Sequence, residues 1–316
     1  MSKKIIKNLF LLVIVLIFVS PAFAWDSVGH KLAAYIAWQQ MTPATREKVI
    51  KILLSAPEDS DLSAFYPQDA RSEAARQQEF FMTAAYWSDI VRDKKFENRY
   101  KYHHGTWHYL DTFWREANGK AELVTELKPD KENAVERLFF FDKVLRDNTA
   151  KDSEKAIAIA WIEHLVGDVH QPLHASGRVT DLEPKGDQGG NLFLLTPKDT
   201  PREKQENLHS FWDRIIGLSV QRKNDAPDSV YIPEIGAKII KKYPFAKMQN
   251  RLELGKFDDW QQESFRIATT EVYPSTLIRF QTPPANYKKR AYSIAEQQIA
   301  LAGYRLAATF NQIFGQ

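Results

Sequence analysis

The chain has 316 residues, of which 44% are hydrophobic and 26% charged, and this composition excludes intrinsic disorder as its main state. It contains no cysteine, which excludes disulfides, thiol nucleophiles and cysteine-based zinc sites. The formal net charge of +3 equals the contribution of Lys3, Lys4 and Lys7, so the rest of the chain carries as many acidic as basic residues.

The first 24 residues have the pattern of a secretory signal peptide. The three lysines precede an apolar run, Leu9 to Val19, which is short for a membrane-spanning helix. Ala22-Phe23-Ala24 then forms an A-x-A cleavage site. We expect cleavage after Ala24, export to the periplasm or the extracellular medium, and one domain over residues 25–316 that starts at Trp25.

The remaining chain is predicted to be mostly helical. Apolar residues at helical spacing indicate helices over residues 28–41, 45–54, 70–91 (interrupted near its middle), 133–146, 153–170, 208–219, 258–270 and 292–314. Only Asn191 to Thr196, which follows Gly189-Gly190, has the pattern of a strand, and its turn-rich flanks predict a hairpin or a long loop. The predicted fold class is therefore a single, mainly α-helical domain with a small β-hairpin.

Histidine and aspartate recur at a spacing that suits a metal. His164 and Asp168 are four residues apart on the strongest predicted helix, so both side chains project from one face. His209 and Asp213 repeat this spacing, and His174 follows Asp168 by six residues. A lone pair of this kind is usually a surface ion pair, but the first pair lies in a strongly apolar helix, where burying it without a partner is costly. The pattern therefore predicts a divalent metal site, and zinc accepts both imidazole nitrogen and carboxylate oxygen.

Three other segments carry residue types that fit the same site. His108 lies between aromatic residues, and Asp89 stands three residues before Arg92, although a local ion pair is the alternative there. Cleavage would leave Trp25 with a free amine, five residues before His30. An α-amino group has a pKa of about 8, so it loses its proton readily and can bind zinc. The alternative is that Trp25 only packs at the edge of the domain.

Taken together, these motifs resemble the S1/P1 family of zinc-dependent nucleases. The resemblance covers essentially all of residues 25–316 and rests on Trp25-x4-His30, Trp87-x-Asp89, Trp107-His108-x-x-Asp111, His164-x3-Asp168-x5-His174, Gly189-Gly190-Asn191 and Asn207-Leu208-His209-x3-Asp213. It implies a mainly helical fold with three Zn²⁺ ions at the bottom of a cleft.

The resemblance also implies which residues hold the metals. One zinc would be bound by Asp89, His108, His164 and Asp168. The second would take Trp25 through its amine and carbonyl, His30, and Asp168 as a shared ligand, and the third would take His174, His209 and Asp213. The other histidines, His103, His104 and His170, are expected at the surface or behind the ligands.

Members of that family cleave the P–O3′ bond of single-stranded DNA and RNA with a zinc-bound hydroxide, release 5′-phosphorylated products, and can remove 3′-phosphates from nucleotides. By resemblance, Arg92 would clamp the phosphate, Asp111 would orient or activate the attacking water, and Asp168 would be catalytic as the shared ligand. Tyr109 would stack on a base, and Asn191 would bond a base edge unless it is a simple turn residue. The substrates would be single-stranded nucleic acid and nucleotides, with neither a membrane anchor after cleavage nor an obligate protein partner.

Two alternatives stay open. A zinc-dependent phospholipase C shares the fold and the N-terminal tryptophan ligand. That family has a longer gap before its first histidine, and a glutamate where this chain has Asp213. The other alternative is a secreted zinc protein without catalysis. Arg92, Tyr109 and Asp111 argue against it, because metal binding alone does not require them.

Overall fold

Helices carry most of the backbone in the computed structural model, which describes residues 25–315. The first seven are α1 Ser27–Gln40, α2 Pro43–Leu53, α3 Glu73–Ala84, α4 Trp87–Ile90, α5 Arg99–Tyr102, α6 Ala134–Arg146 and α7 Asp152–Asp168. They are followed by α8 Leu208–Asp213, α9 Ile215–Ser219, α10 Asp228–Lys242, α11 Phe245–Met248, α12 Phe257–Ile267 and α13 Ala285–Phe314. The predicted leader, its cleavage after Ala24, and Gln316 lie outside the described residues. None of the helices within residues 25–315 combines the length and the apolar character needed to cross a membrane.

Polar side chains determine where several helices begin. Asp26 accepts hydrogen bonds from the backbone N–H groups of Val28 and Gly29 at the start of α1. Thr42, Asn133 and Asn207 cap α2, α6 and α8 in the same way. Each cap satisfies backbone donors that the first turn of a helix leaves unpaired.

The central element is α7, which is buried along most of its length and packs against α1, α2, α6 and α13. Such burial agrees with its apolar composition on all sides. The long helix α13 lies along α1, and Gly303 permits the close approach: a Cβ there would lie 2.7 Å from the carbonyl oxygen of Ala33. This packing holds α1 beside α7, and these two helices contribute histidines to the candidate site.

A small sheet lies beside this helical body. It consists of β1 Thr112–Ala117, β2 Lys120–Leu123 and β3 Ser176–Arg178, in the order β2-β1-β3. The first two strands form an antiparallel hairpin, and β1 and β3 run parallel. The hairpin turns at Asn118-Gly119, whose φ angles are +54° and +73°, as the tight turns of hairpins require.

The predicted class, a mainly α-helical fold with a small hairpin, is confirmed. The predicted break in the third helix is also confirmed, since α3 ends at Ala84 and α4 begins at Trp87. The prediction missed three helices, α5, α10 and α11. It also started α13 seven residues too late, at Tyr292, and it merged α8 with α9.

The predicted strand over Asn191 to Thr196 is wrong. That segment is irregular: it begins with a turn at Asn191 and Leu192 and makes a single bridge, between Leu194 and Asn207. Its apolar pattern has another cause: Phe193 and Leu195 are buried and anchor a loop to the core. The hairpin is at residues 112–123 instead, where the Asn118-Gly119 dipeptide between two short runs was the sequence signal that pointed to it.

Candidate metal centre and cleft

Three buried residues form the first part of the candidate metal centre. His164 and Asp168 project from α7, and His30 approaches them from α1. The ring of His30 stacks on that of His164, with centroids 3.9 Å apart and planes 15° apart. Nε2 of His30 lies 3.4 Å from Oδ1 of Asp168.

Asp89 and His108 complete this region. Nδ1 of His108 lies 2.9 Å from Nε2 of His164 and 3.2 Å from Oδ2 of Asp168. Asp89 reaches the same ring, with Oδ2 at 4.0 Å from Nε2 of His164. Asp168 therefore places one carboxylate oxygen beside His30 and the other beside His108, as a ligand shared by two metal ions requires.

A second cluster lies on the segments that follow α7. Nε2 of His174 is 3.1 Å from Nε2 of His209, which in turn lies 3.5 Å from Oδ2 of Asp213. The three residues are buried. Potential ligand atoms thus converge in three groups, namely His30–His164–Asp168, Asp89–His108–His164 and His174–His209–Asp213, and within each group they lie within 4.8 Å of one another.

Hydrogen bonds from the surrounding backbone orient these rings. Three imidazoles donate through Nδ1 to a carbonyl oxygen, His164 to Ala85 at 2.9 Å, His174 to His108 at 2.6 Å and His209 to Gly189 at 2.7 Å. This leaves Nε2 of each neutral ring as a lone-pair donor that faces the cluster. The side-chain amide of Gln171 also donates to Oδ1 of Asp213 at 2.6 Å.

The electrostatics of the site match a bound cation. Both carboxylate oxygens of Asp168 and both ring nitrogens of His30 are buried without a hydrogen-bond partner in the described chain. Burial, followed by repulsion from Asp89 and Asp213, raises the pKa of Asp168 well above its usual value. Burial likewise lowers the pKa of His30, which keeps its imidazole neutral. Neutral imidazoles and carboxylates clustered without solvent are costly unless a metal binds them, and this donor set fits zinc.

The first described residue lies beside the second cluster. Trp25 is fully buried in the core, and the backbone N–H of Asp26, the next residue, donates to the carbonyl oxygen of Asp213 at 3.1 Å. Trp25 is therefore buried rather than at the edge of the domain, and the residue that follows it is tied to the backbone of a candidate ligand from the neighbouring group.

A cleft of about 1290 Å³ opens onto the metal groups. Its lining includes the candidate ligands Asp89, His108, His174 and His209, together with Arg92, Tyr109, Asp111 and Asn191, the four residues predicted to act on the substrate. The structure therefore brings these predicted residues to one cavity.

Three of the four have contacts that bear on their chemistry. Nη2 of Arg92 lies 2.9 Å from Oδ1 of Asp89. The hydroxyl of Tyr109 donates to Asp130 at 3.3 Å. Burial, then the charges of Asp187 and Asp130, raises the pKa of Asp111 to about 7.

The fourth, Asn191, is held by its own loop. Its side-chain amide donates to the carbonyl oxygen of Gln188 at 2.8 Å, and its Oδ1 accepts from Asn207 at 3.4 Å. These are contacts of a turn residue. They use one of the two amide protons and one of the two lone pairs, so a base edge would have to use the remaining ones.

Two residues that position the site were missed from the sequence. Gly167 gives room to the ring of His30, and Asp187 holds the loop that contains Gly189. Asp187 accepts hydrogen bonds from the backbone N–H of Arg178 at 3.0 Å and from the hydroxyl of Tyr273 at 2.7 Å. Gly189 has φ +59°, and its carbonyl orients His209. An acidic residue inside a glycine-rich loop was the only sequence signal for Asp187.

The histidines outside the ligand set have different surroundings. His170 is fully buried, so the alternative of a surface position is wrong; its ring donates to Val166 and contacts Arg305. His103 and His104 are half-buried and line the cleft.

Comparison with known proteins agrees with this geometry. A sequence profile of the S1/P1 nuclease family matches residues 25–315. Endonuclease 1 of Arabidopsis thaliana is 24% identical over an alignment that covers 96% of this chain and 91% of that protein. Nuclease P1 of Penicillium citrinum is also 24% identical, over 92% of this chain and 98% of its own length. Because the family profile covers nearly the whole chain and the candidate ligands converge within it, the protein belongs to the S1/P1 nuclease family, a family of nucleic-acid hydrolases.

Proposed function

We propose that this nuclease is an exported zinc-dependent endonuclease. It hydrolyses the P–O3′ bond of single-stranded DNA and RNA, releases 5′-phosphorylated products and also removes 3′-phosphates from nucleotides. The observation that carries the proposal is the convergence of three buried His/Asp groups at a cleft that also contains Arg92 and Asp111.

Three zinc ions would be held by the nine residues assigned above, namely Trp25, His30, Asp89, His108, His164, Asp168, His174, His209 and Asp213. When bound, zinc supplies Lewis-acid chemistry, because it lowers the pKa of water and neutralises charge on a phosphate. The ligand set suits such ions, because the buried imidazoles are neutral and the carboxylate of Asp168 lies between two of the three ligand groups.

Arg92 and Asp111 would act on the reacting phosphate. The guanidinium of Arg92 is held at the cleft by Asp89, and it donates to the phosphoryl oxygens, where negative charge accumulates in the transition state. Asp111 accepts a proton from the attacking water. A carboxylate with a pKa of about 7 is a much better base than an ordinary aspartate, and it is still ionised in part at neutral pH.

Tyr109 and Asn191 would bind a base. Stacking on the ring of Tyr109 requires an unpaired base and tolerates any sequence, which accounts for a preference for single strands. Asn191 would bond the base edge with the hydrogen-bonding capacity that its turn contacts leave.

Export completes the proposed site. Removal of residues 1–24 in the periplasm or the medium would free the amine of Trp25 beside Asp213. The metal centre would then be complete only in the exported enzyme.

The test is to purify the protein that begins at Trp25, load it with zinc, and assay single-stranded DNA, RNA and lecithin with and without a chelator. We expect chelator-sensitive hydrolysis of both nucleic acids, with 5′-phosphates on the products, and no hydrolysis of lecithin. Release of the phosphorylated headgroup from lecithin would favour the phospholipase alternative. A zinc-loaded protein that hydrolyses none of the three would favour the non-catalytic one.

A further inference from the structure

One side of the cleft is lined by cations that the proposed chemistry does not use. The segment between α4 and α5 contributes Lys94 and Lys95, and α5 begins with Arg99. These three residues are here called the basic wall. They line the same cavity as Arg92 and the candidate metal ligands, so the wall is continuous with the site of cleavage.

The charges of the basic wall are available to a ligand. Within residues 25–315, no carboxylate forms an ion pair with Lys94 or Arg99. The guanidinium of Arg99 donates to the carbonyl oxygen of Arg92 at 3.4 Å and to the hydroxyl of Tyr100 at 3.2 Å, and these neutral partners leave its charge uncompensated. Lys95 lies 3.6 Å from Asp93, but both side chains are more than half exposed, so this pair contributes little and separates easily. Lys101, the next cation along the chain, is held by Asp59 at 2.6 Å and stays outside the wall.

An aromatic ring adjoins the wall. Tyr100 is 82% exposed, and the guanidinium of Arg99 lies 4.6 Å from its ring centroid. An exposed ring next to available cations is the combination by which proteins bind single-stranded nucleic acid, with stacking for the bases and cations for the phosphates.

Residues 25–316 carry no net charge, so the polypeptide by itself has no net attraction for polyanions, and the proposed zinc ions would add positive charge only at the metal centre. Attraction for the parts of a strand that lie beyond the metal centre must therefore come from an uneven distribution of the polypeptide's own charges, and the basic wall supplies it along the cleft. His103 adds no charge there, since burial and nearby cations lower its pKa to about 4.

We propose that the basic wall and Tyr100 form an extended binding track for single-stranded nucleic acid, which holds phosphates and a base beyond the nucleotide being cleaved. The proposal rests on the proposed function, since the strand reaches the wall from the metal centre. The binding track would contact long substrates only, whereas the metal ligands, Arg92 and Asp111 act on long and short substrates alike.

The test compares two lysine pairs. The variant Lys94→Gln/Lys95→Gln removes two charges from the wall, and Lys288→Gln/Lys289→Gln removes two from an exposed site outside the cleft. Zinc-loaded proteins are assayed on a single strand of about 20 nucleotides and on a dinucleoside monophosphate. Binding of a nuclease-resistant phosphorothioate strand is measured by fluorescence anisotropy over a range of salt concentrations.

We expect the wall variant to bind the long strand roughly three- to tenfold more weakly, and to lose about 1.4 from the slope of log affinity against log salt, because each phosphate contact contributes about 0.7 for single strands. In the wall variant, the ratio of KM for the long strand to KM for the dinucleotide rises. In the control variant, this ratio stays as it is in the unmodified protein. Tyr100→Ala also weakens strand binding, without a change in the salt slope.

Equal weakening in the two lysine variants, or none in the wall variant, would overturn the proposal. Failure of the binding-track proposal can be distinguished from failure of the proposed enzymatic function. If the zinc-loaded protein hydrolyses no nucleic acid but the anisotropy difference remains, the enzymatic proposal is wrong and the binding track stands. If the protein hydrolyses nucleic acid without an anisotropy difference between the variants, the binding track is wrong and the enzymatic proposal stands.

Discussion

The imidazole of His30 lies directly against the backbone of Gly167: a Cβ on Gly167 would be 2.6 Å from Nδ1 and 2.9 Å from Cε1 of that ring. Gly167 stands between His164 and Asp168 on α7, and its missing side chain is the space in which His30 stacks on His164. A single glycine thus allows two helices to contribute ligands to one group.

Gly167→Ala should displace His30. Moving the ring or the helix by enough to fit a methyl group costs about 1–3 kcal/mol and separates the ligand atoms. We expect a lower melting temperature, less bound zinc by metal analysis, and a large loss of activity. The control is Gly217→Ala on α9, where the added Cβ meets only Asp26 at 3.8 Å. It should keep its zinc and gain up to about 1 kcal/mol from helix propensity. Normal zinc content in Gly167→Ala would contradict this account of His30.

Asp168→Asn should lose two zinc ions together, because its carboxylate contacts both His30 and His108. Asp213→Asn should lose only the ion held with His174 and His209. Metal analysis is expected to give about one zinc ion per chain for Asp168→Asn and about two for Asp213→Asn, against three in the unmodified protein. Equal losses in the two variants would show that Asp168 is not shared. Circular dichroism checks that each variant is folded.

A chain that keeps Ala24 should bind zinc less well than one that begins at Trp25. The extra residue converts the amine into an amide, which is a poor ligand, at a position tied to Asp213 through Asp26. We expect one zinc ion fewer and nearly complete loss of activity, and proteolytic removal of Ala24 should restore both. Full activity in the extended protein would rule out the amine as a ligand.

Asp130→Asn should shift the acid limb of the pH–rate profile to lower pH. Asp111 must be ionised to act as a base, so activity falls as pH drops through its pKa, which burial and the charges of Asp187 and Asp130 raise to about 7. Removing the Asp130 charge lowers that pKa, and the asparagine still accepts the hydrogen bond from Tyr109.

The control is Glu132→Gln, another carboxylate of the cleft but not one of the groups that raise the pKa of Asp111. It should leave the acid limb in place. If the two variants shift the limb equally, or neither shifts it, Asp111 is not the group that titrates.

The elements predicted best were helices with a clear apolar periodicity. The helix over residues 133–146, observed as α6, and the break between α3 and α4 were predicted from the order of residues. The loop at Phe193 and Leu195 could not be predicted, because two buried side chains give the same apolar pattern in a strand and in a loop anchored to the core. The hairpin was missed although its Asn118-Gly119 turn was visible.

For the site, spacing alone linked His164 to Asp168 and His209 to Asp213, since one turn of a helix brings residues four apart to the same face. That pairing, and the family to which the motifs point, were determined by the sequence itself. Only the tertiary structure decided that His30 meets His164 through the gap at Gly167, and that Asp187 holds the loop whose carbonyl orients His209. Those relations depend on how separate elements pack, and a local pattern carries no information about close approach between side chains and backbone of different elements.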